Sequence, residues 1–506
     1  MLGGVENKFL THRLKQLIGE IEKYKKDDVS IYSVSKNVLK TESAEIPVLD
    51  LSGNREGLQA LEFLTNTSKN LFLTGEAGTG KSTLLNYFRK TTSKNVVVLA
   101  PTGVAALNVE GQTIHSFCGF GPDITLARVK KLMPGMPKFK LLQKLDTVII
   151  DEISMVRADL LDCVDKYLRI NGPVKDLPFG GIQMVFIGDL YQLPPVDKDF
   201  NQGGGLVKMY NSPYFFDSRA FKEARFEYIN LKTVYRQKDQ VFKDVLNAVR
   251  NNAVSHDHLE ILNARAENGD AKFTFEKFAI YLTPHNMRAR QVNNFFLERL
   301  PSELKVYQGE VDGSFEDREL PTDLNLQLKV GVQVMMLNND QRKRWVNGTM
   351  GKIKAVVKED ESEPEENENI YLPEDEFFIP EKSSNSDSVV IELETGETVY
   401  VKPHTWEMFK FVLDSQTQKI DSRTTGTFTQ YPFKLAWAVT IHKAQGKTFD
   451  KVYVDLSSGT FAHGQLYVAL SRCRTLEGLY LKRPIVPSDI ILDQRVVEFL
   501  KNFEKN

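Results

Sequence analysis

Leu71-Phe-Leu-Thr-Gly-Glu-Ala-Gly-Thr-Gly-Lys-Ser-Thr-Leu84 carries an apolar strand into Gly75-x-x-x-x-Gly80-Lys81-Ser82, and a helical pattern follows. Strand, glycine-rich turn and helix, in that order, are the context a phosphate-binding loop requires. Glycines let the backbone curl until several N–H groups point into one concavity, a nest for anionic oxygen. The helix that begins near Lys81 adds the positive end of its dipole. Lys81 can reach the β- and γ-phosphates of a nucleoside triphosphate, and the Ser82 hydroxyl can ligate Mg²⁺. The first expectation is therefore ATP with Mg²⁺.

Outward from this loop the pattern alternates between strand and helix. Val96–Ala100, Thr147–Ile150 and Met184–Ile187 are short continuous apolar runs bounded by helices. Such runs predict an α/β fold with a parallel sheet covered on both faces. Ligands of such sheets bind at the carboxyl ends of the strands. The phosphate loop, Pro101-Thr-Gly103, Asp151-Glu152 and Gly188-Asp189 each follow one of these strands directly.

The chain has 506 residues, too many for one core, so several domains are expected. Residues 1–50 read as an N-terminal extension, with helical periodicity between Phe9 and Tyr24. A first α/β unit spans 51–225, interrupted near 117–145 by a Gly-, Pro-, Lys- and Leu-rich insertion. A second unit takes 226–327 and resumes over 426–506. Between its halves, 328–425 has period-two strands separated by turn signals, which predicts a small β-barrel. Within that barrel an acidic stretch, 358–385, reads as a solvated loop. Net charge is −2, so a nucleic-acid partner must be met by local basic patches. Cys118, Cys163 and Cys473 show no metal or disulfide spacing, which suits a reducing compartment. No apolar run approaches a membrane span, and no signal-peptide pattern opens the chain. The expectation is a soluble protein with no membrane partner. It would be cytoplasmic in a bacterial or phage-like setting, nuclear or mitochondrial in a eukaryote.

Asp151, at the end of an apolar strand, is placed to hold Mg²⁺, and Glu152 to orient or deprotonate the attacking water. Gln192, in Gly188-Asp-Leu-Tyr-Gln-Leu-Pro-Pro-Val196, can donate to the γ-phosphate and contact that water; the plainer reading is a surface glutamine on a proline turn. Arg236 and Arg472 lie in the second unit. Guanidinium groups supplied from across a cleft suit the charge on a transferring phosphoryl group. If the two units face each other, these arginines complete the site on closure and couple hydrolysis to domain motion. Taken singly, either is an ordinary surface ion-pair residue.

The ordered set of Gly75–Ser82, Ala100–Ala106 with Thr113–Phe117, Asp151–Met155, Gly188–Val196, Tyr235-Arg236, Ala438–Thr448 and Tyr467–Arg472 resembles the motifs of superfamily-one DNA helicases. The similarity is to the petite-integration-frequency (PIF) family of 5′-to-3′ helicases. Asp159 to Arg169 with Pro178–Gln183 resembles the signature that separates that family from its RecD-like cousins. The resemblance spans about residues 51–495. It implies two RecA-like domains with ATP between them and single-stranded DNA across their tops. It further implies a wedge at 117–145 and an SH3-like domain in the β-rich insertion. Nucleotide contacts are implied at Gly75, Gly78, Gly80, Lys81, Ser82, Thr83 and Gly446. The family's adenine-reading glutamine has only Gln59 as a counterpart, at a spacing that does not match.

Thr102, Thr113 and His115 then offer donors for DNA phosphates from the first unit, and Thr440, His442, Lys443 and Gln445 from the second. Asn347-Gly348-Thr349 could add a backbone clamp. Phe117, Phe120 and Trp437 could stack bases, although for each taken alone core packing is the safer reading. The implied function is an ATP-dependent helicase that unwinds duplex or structured DNA in repair, recombination, replication or telomere maintenance. Implied partners are single-stranded and forked DNA, a G-quadruplex or RNA–DNA hybrid, and single-strand-binding or replication proteins, with the chain monomeric in solution. The rival is a DNA-stimulated ATPase that clamps or remodels protein–DNA complexes without separating strands. A phosphate-loop kinase or transporter ATPase would have no use for Thr440–Thr448.

Overall fold

The computed structural model describes residues 54–195, 209–235, 237, 239–266, 278–315, 320–358, 387–457 and 459–504, all within one compact unit, Leu49–Asn506. The extension expected at 1–50, the acidic loop beyond Lys358 and Arg236 lie outside the described residues.

The apolar runs of the first unit form one parallel sheet. Its strands are β1 (Asn70–Gly75), β2 (Val96–Ala100), β3 (Gln112–Thr113), β4 (Thr147–Ile150), β5 (Gln183–Ile187) and β6 (Phe226–Leu231), in the order β3-β2-β4-β5-β1-β6, so the boundary expected at 225 is corrected: β6 pairs with β1 and belongs to the first sheet. Period two divides each run between the two faces. Phe72 joins one core with Ile150, Phe186 and Phe215, while Leu71 and Leu73 join the opposite core with Leu84, Leu85 and Phe88. Burial on both faces is why these strands read as unbroken apolar runs.

The second parallel sheet uses β7 (Ile280–Thr283) and three strands from the end of the chain. Between them lie β8 (Lys305–Gln308), β9 (Glu310–Gly313), β10 (Asn325–Leu328), β11 (Gln333–Met336), β12 (Met350–Val357), β13 (Ser388–Leu393), β14 (Thr398–Val401), β15 (His404–Leu413), β16 (Ile420–Gln430) and β17 (Phe433–Leu435). β18 (Ala438–Thr440), β19 (Val452–Val454) and β20 (Leu479–Leu481) then complete the sheet, in the order β18-β7-β19-β20. Thr283 stands opposite Thr440, so the turns after β7 and β18 lie side by side. The intervening strands are antiparallel: one sheet orders β14-β13-β12-β11-β17, another β15-β16-β9.

The β15–β16 hairpin reaches the first unit. The Ile420 N–H donates to Asn95 Oδ1 at 3.1 Å, and the Phe411 ring meets Phe117 edge-on at 6.4 Å. The stretch 117–145 has no core of its own: Val129, Leu141, Leu142 and Leu145 enter the core that holds Phe72. The last helix, Gln494–Glu504, also packs there, with Phe499 stacked on Phe216 at 4.3 Å. By sequence position that helix falls in the second unit; its aromatic face instead covers the first.

The segment 159–183 braces the sheet. Asp165 accepts from the Phe179 N–H at 2.6 Å, and a Cβ on Gly180 would meet the Leu168 carbonyl oxygen at 2.4 Å. Only glycine allows the turn before β5 to lie this close to the helix Ala158–Asn171. Among the described residues no helix is long and apolar enough to cross a membrane.

Candidate active site

The loop after β1 folds as its glycines permit. Gly80 has φ +84° and starts the helix Lys81–Thr91, and a Cβ at Gly75 would lie 2.8 Å from the Leu231 carbonyl oxygen. Lys81 Nζ donates to the carbonyls of Gly75 at 2.7 Å and Glu76 at 2.9 Å, so its ammonium is folded back over the nest. Burial lowers its pKa, opposed by Asp189, Glu152 and Asp151. Ser82 and Thr83, the next two residues of the helix, are exposed.

Asp151 and Glu152 end β4 against this loop. Asp151 is nearly buried and accepts from the Glu152 N–H at 3.0 Å. Glu152 has φ +51°, a left-handed conformation that costs a non-glycine residue about 1–3 kcal/mol and collects at functional sites. Burial, with Asp151 beside it, pushes the Glu152 carboxyl up to about 7, against the pull of Lys81 and Arg472. Hard oxygen donors at Ser82 and Asp151, beside a lysine and a phosphate nest, fit Mg²⁺ carried by a nucleotide.

Groups from the second unit close the cleft. Gln445 Nε2 lies 3.3 Å from Glu152 Oε2 and 3.2 Å from Gln192 Oε1, donating to both. Gln192 Nε2 donates in turn to Asp189 Oδ2 at 3.3 Å. Arg250, closing the helix Gln240–Arg250, donates to Asp189 Oδ1 at 3.1 Å and covers the Tyr191 ring at 3.9 Å. The Ala77 N–H of the loop donates to the Tyr467 hydroxyl at 3.3 Å. The Tyr235 N–H donates to the Gly78 carbonyl at 2.9 Å, and its exposed ring stands beside Gly80. Arg472 is buried, donating to the carbonyls of Val468 at 2.9 Å and Lys447 at 3.2 Å. Asp189 and Tyr467 stand inside motifs legible in the sequence, although neither residue type marks its role there, whereas Arg250 has no motif signal.

The strand-facing candidates divide. The Thr102 and Thr113 hydroxyls each cap a short helix, accepting from Ala105 N and Ser116 N at 3.2 Å, and His115 sits half-buried in the first turn after Thr113. Thr440 is buried, His442 half-buried and Lys443 exposed on the turn after β18. Gly446, at φ +79°, closes that turn. Burial lowers the His442 pKa, keeping the imidazole neutral.

Three expectations are corrected. Phe117 is 2% exposed, packed between Phe411 and the Lys138 ammonium, 3.3 Å from its ring centre, which leaves no face for a base. Phe120 packs on Tyr167 and Trp437 on Phe296, so core packing holds there as well. The backbone amides of Asn347, Gly348 and Thr349 are spent inside their own turn, on Asn339 Oδ1, the Met336 carbonyl and the Val346 carbonyl. They make no backbone clamp; instead Lys447 Nζ donates to the Asn347 side chain. Gln59 is exposed on the helix Arg55–Asn66 and lines a cleft with Lys69 and the β6 edge, with no residue of the phosphate loop in that lining. Asn54, at the start of that helix, approaches the loop's neighbourhood, donating to the Tyr235 hydroxyl at 3.0 Å.

A family model described as PIF1-like helicase matches residues 58–259, one described as the Pif1 2B domain matches 317–356, and one described as the UvrD-like helicase C-terminal domain matches 435–480. The ATP-dependent DNA helicase Pif1 of Bdellovibrio bacteriovorus is 31% identical over 470 residues, covering 91% of this chain and 94% of that protein. This chain belongs to the Pif1 helicase family. A crystal structure of a Bacteroides Pif1 in complex with ADP-AlF4 aligns with a TM-score of 0.77 at 33% identity, covering 90% of this chain and 98% of that one. That match places the α/β core among RecA-like Pif1 structures. The Bacteroides Pif1 bound to single-stranded DNA covers 89% of this chain and 97% of that one at 34% identity, with a TM-score of 0.60. An unliganded Bacteroides Pif1 aligns with a TM-score of 0.74, so the arrangement seen here lies nearer the DNA-free Pif1 structures than the DNA-bound one.

Proposed function

We infer that this Pif1-family chain is an ATP-dependent DNA helicase that moves 5′ to 3′ along single-stranded DNA and separates the duplex ahead of it. One observation carries the reading: the phosphate loop, Glu152, Asp189 and Gln192 beside the first parallel sheet are met across a cleft by Tyr467, Gln445 and Arg250 from the elements around the second. A nucleotide held in that cleft touches both halves, so its turnover changes how they fit together.

In this reading Lys81 and the amino end of its helix bind the β- and γ-phosphates. Ser82 and Asp151 hold Mg²⁺, which neutralises charge on the phosphate oxygens when bound. Glu152, its carboxyl lifted towards neutrality, orients the attacking water and takes its proton. Gln192 donates to the γ-phosphate. Arg472, and Arg236 on the segment after Tyr235, supply guanidinium charge as the cleft closes; Arg472 must first leave the carbonyls of its own unit. The exposed Tyr235 ring offers the nucleotide base a stacking face. Thr102, Thr113 and His115 hold one stretch of strand, and Thr440, His442 and Lys443 another, without reading sequence. The β-rich insertion would be an SH3-like grip and 117–145 the wedge. The three cysteines are buried free thiols, which suits a reducing compartment where DNA is kept. That is the cytoplasm of a bacterium or phage-infected cell, or the nucleus or mitochondrion of a eukaryote. Forked DNA is the proposed substrate, with G-quadruplexes, RNA–DNA hybrids and single-strand-binding proteins as further partners.

The test is strand displacement on a partial duplex with a 5′ or a 3′ single-stranded tail, given ATP and Mg²⁺, with Lys81→Ala as control. Displacement only from the 5′ tail supports the proposal. Stimulated hydrolysis without displacement supports a clamp or remodeller instead, and displacement from the 3′ tail refutes the polarity.

A further inference from the structure

We propose that Gln445 is a positioning residue for hydrolysis, whose amide occupies the two water-handling groups, Glu152 and Gln192, until single-stranded DNA engages the turn that carries it. The inference rests on the reading of the chain as a DNA-dependent ATPase and adds how the strand controls turnover.

The argument begins with the amide. Nε2 carries two hydrogens, and each has a partner: Glu152 Oε2 at 3.3 Å and Gln192 Oε1 at 3.2 Å. These are the acceptor atoms through which a carboxylate and a carboxamide would hold an attacking water. Gln192 is engaged at its other end too, through Nε2 to Asp189, which is itself fixed by Arg250 and by the Tyr191 N–H at 3.1 Å. The network is therefore satisfied without a water. A residue from the second unit has closed it.

The bonds Gln445 makes are at the long end of the N–H···O range, so a modest displacement exchanges them. The turn that carries Gln445 transmits such a displacement. Ala444 N donates to the Thr440 carbonyl at 3.0 Å, Gln445 N to the His442 carbonyl at 3.2 Å, Lys447 N to the Ala444 carbonyl at 3.1 Å, and Lys443 N to Thr440 Oγ1 at 3.4 Å. Thr440 through Lys447 thus move as one piece, with Lys443 exposed at one side and Gln445 at the catalytic groups on the other. A phosphate drawn to Lys443 and His442 shifts the turn and withdraws the amide, freeing Glu152 and Gln192 for water.

The experiment measures steady-state ATP hydrolysis by the full chain at saturating ATP and Mg²⁺, with and without oligothymidylate. Gln445→Met keeps the volume and removes both donors, and Gln445→Ala serves as the second variant. The DNA-free rate should rise about five- to tenfold, the worth of one or two amide hydrogen bonds. The DNA-saturated rate should change less than about twofold, so the stimulation ratio falls by nearly the whole gain. A purely structural role would lower both rates together and leave the ratio alone. An unchanged ratio, or a fall in the DNA-free rate, overturns the proposal. If the unaltered chain shows no response to oligothymidylate, the DNA-dependent reading fails at that point and takes this inference with it. If the unaltered chain responds and the Met variant behaves identically, only the inference fails.

Discussion

Arg250 Nη2 and Asp189 Oδ1 form a 3.1 Å ion pair across the cleft, with the Asp189 side chain fully buried and Arg250 only 12% exposed. Truncating one partner of such a pair strands the other charge without water, a loss of about 3–5 kcal/mol. Arg250→Met should therefore lower the unfolding temperature clearly, and Asp189→Asn added to it should restore part of the loss. Thermal unfolding of the two single variants and the double variant checks this. A double variant as unstable as the sum of the singles would mean the pair is not coupled.

Gly464 makes the tightest approach between the second unit and the Tyr191-Gln192 turn. Its φ is +69°, and a Cβ there would lie 2.3 Å from the Tyr191 carbonyl oxygen and 2.6 Å from that of Gln192. Beside it His463 Nε2 donates to the Leu190 carbonyl at 2.8 Å. Gly464→Ala must push the turn bearing Gln192 away, and a misplacement near 1 Å costs about a hundredfold in rate. ATP turnover should collapse. Gly396→Ala is the control, because φ there is +90° with no atom within 4 Å of the new methyl, so only the left-handed strain of about 1–2 kcal/mol is expected. Equal turnover in the two variants would refute the steric reading.

Glu394, just after β13, shows how burial writes a pH dependence into the β-rich insertion. Its carboxyl is pushed up to about 7, chiefly by burial, although it accepts from the Met350 N–H at 3.2 Å. The folded protein thus favours the protonated acid. Its contribution is fully present below the unfolded carboxyl pKa near 4.5 and is lost as pH rises through about 7. Discounted for partial exposure, the loss is about 2 kcal/mol. Glu394→Gln keeps the acceptor and cannot ionise, so it should melt higher than the parent at pH 8 and alongside it at pH 5. A constant offset between those pH values would rule out titration of Glu394.

What the sequence made legible is what lies close along the chain. Lys81, Asp151, Glu152 and Gln192 could be read because each lies on the segment that leaves an apolar strand of a parallel sheet, which fixes its place at the carboxyl edge. Partners brought from far away could not. Arg250 meets Asp189 across 61 residues of chain, and nothing in its helix marks it. Phe117 reads as a stacking ring until the hairpin bearing Phe411 covers it. Asn347–Thr349 read as free amides because a turn's internal hydrogen bonds leave no mark on composition. Gln445 reads with its neighbours His442 and Lys443 as a strand contact, yet the turn aims it the other way, at Glu152.

His442 and Lys443 are adjacent on that turn, and they should report differently on a bound strand. Burial lowers the His442 pKa, so at neutral pH the strand contact proposed for its imidazole would be an uncharged hydrogen bond. Removing it by His442→Ala should weaken affinity about three- to tenfold at every salt concentration. No counterion release is lost, so the plot of log K against log salt should keep its slope. Lys443 is exposed, and its ammonium displaces a counterion when it meets a phosphate. Lys443→Ala should weaken binding most at low salt and make the slope shallower by about 0.7, the value for one phosphate on a single strand. Anisotropy titrations of labelled oligothymidylate at several salt concentrations measure both. An unchanged slope for Lys443→Ala would remove that residue from the strand path, while a shallower one for His442→Ala would mean that the imidazole binds as a cation.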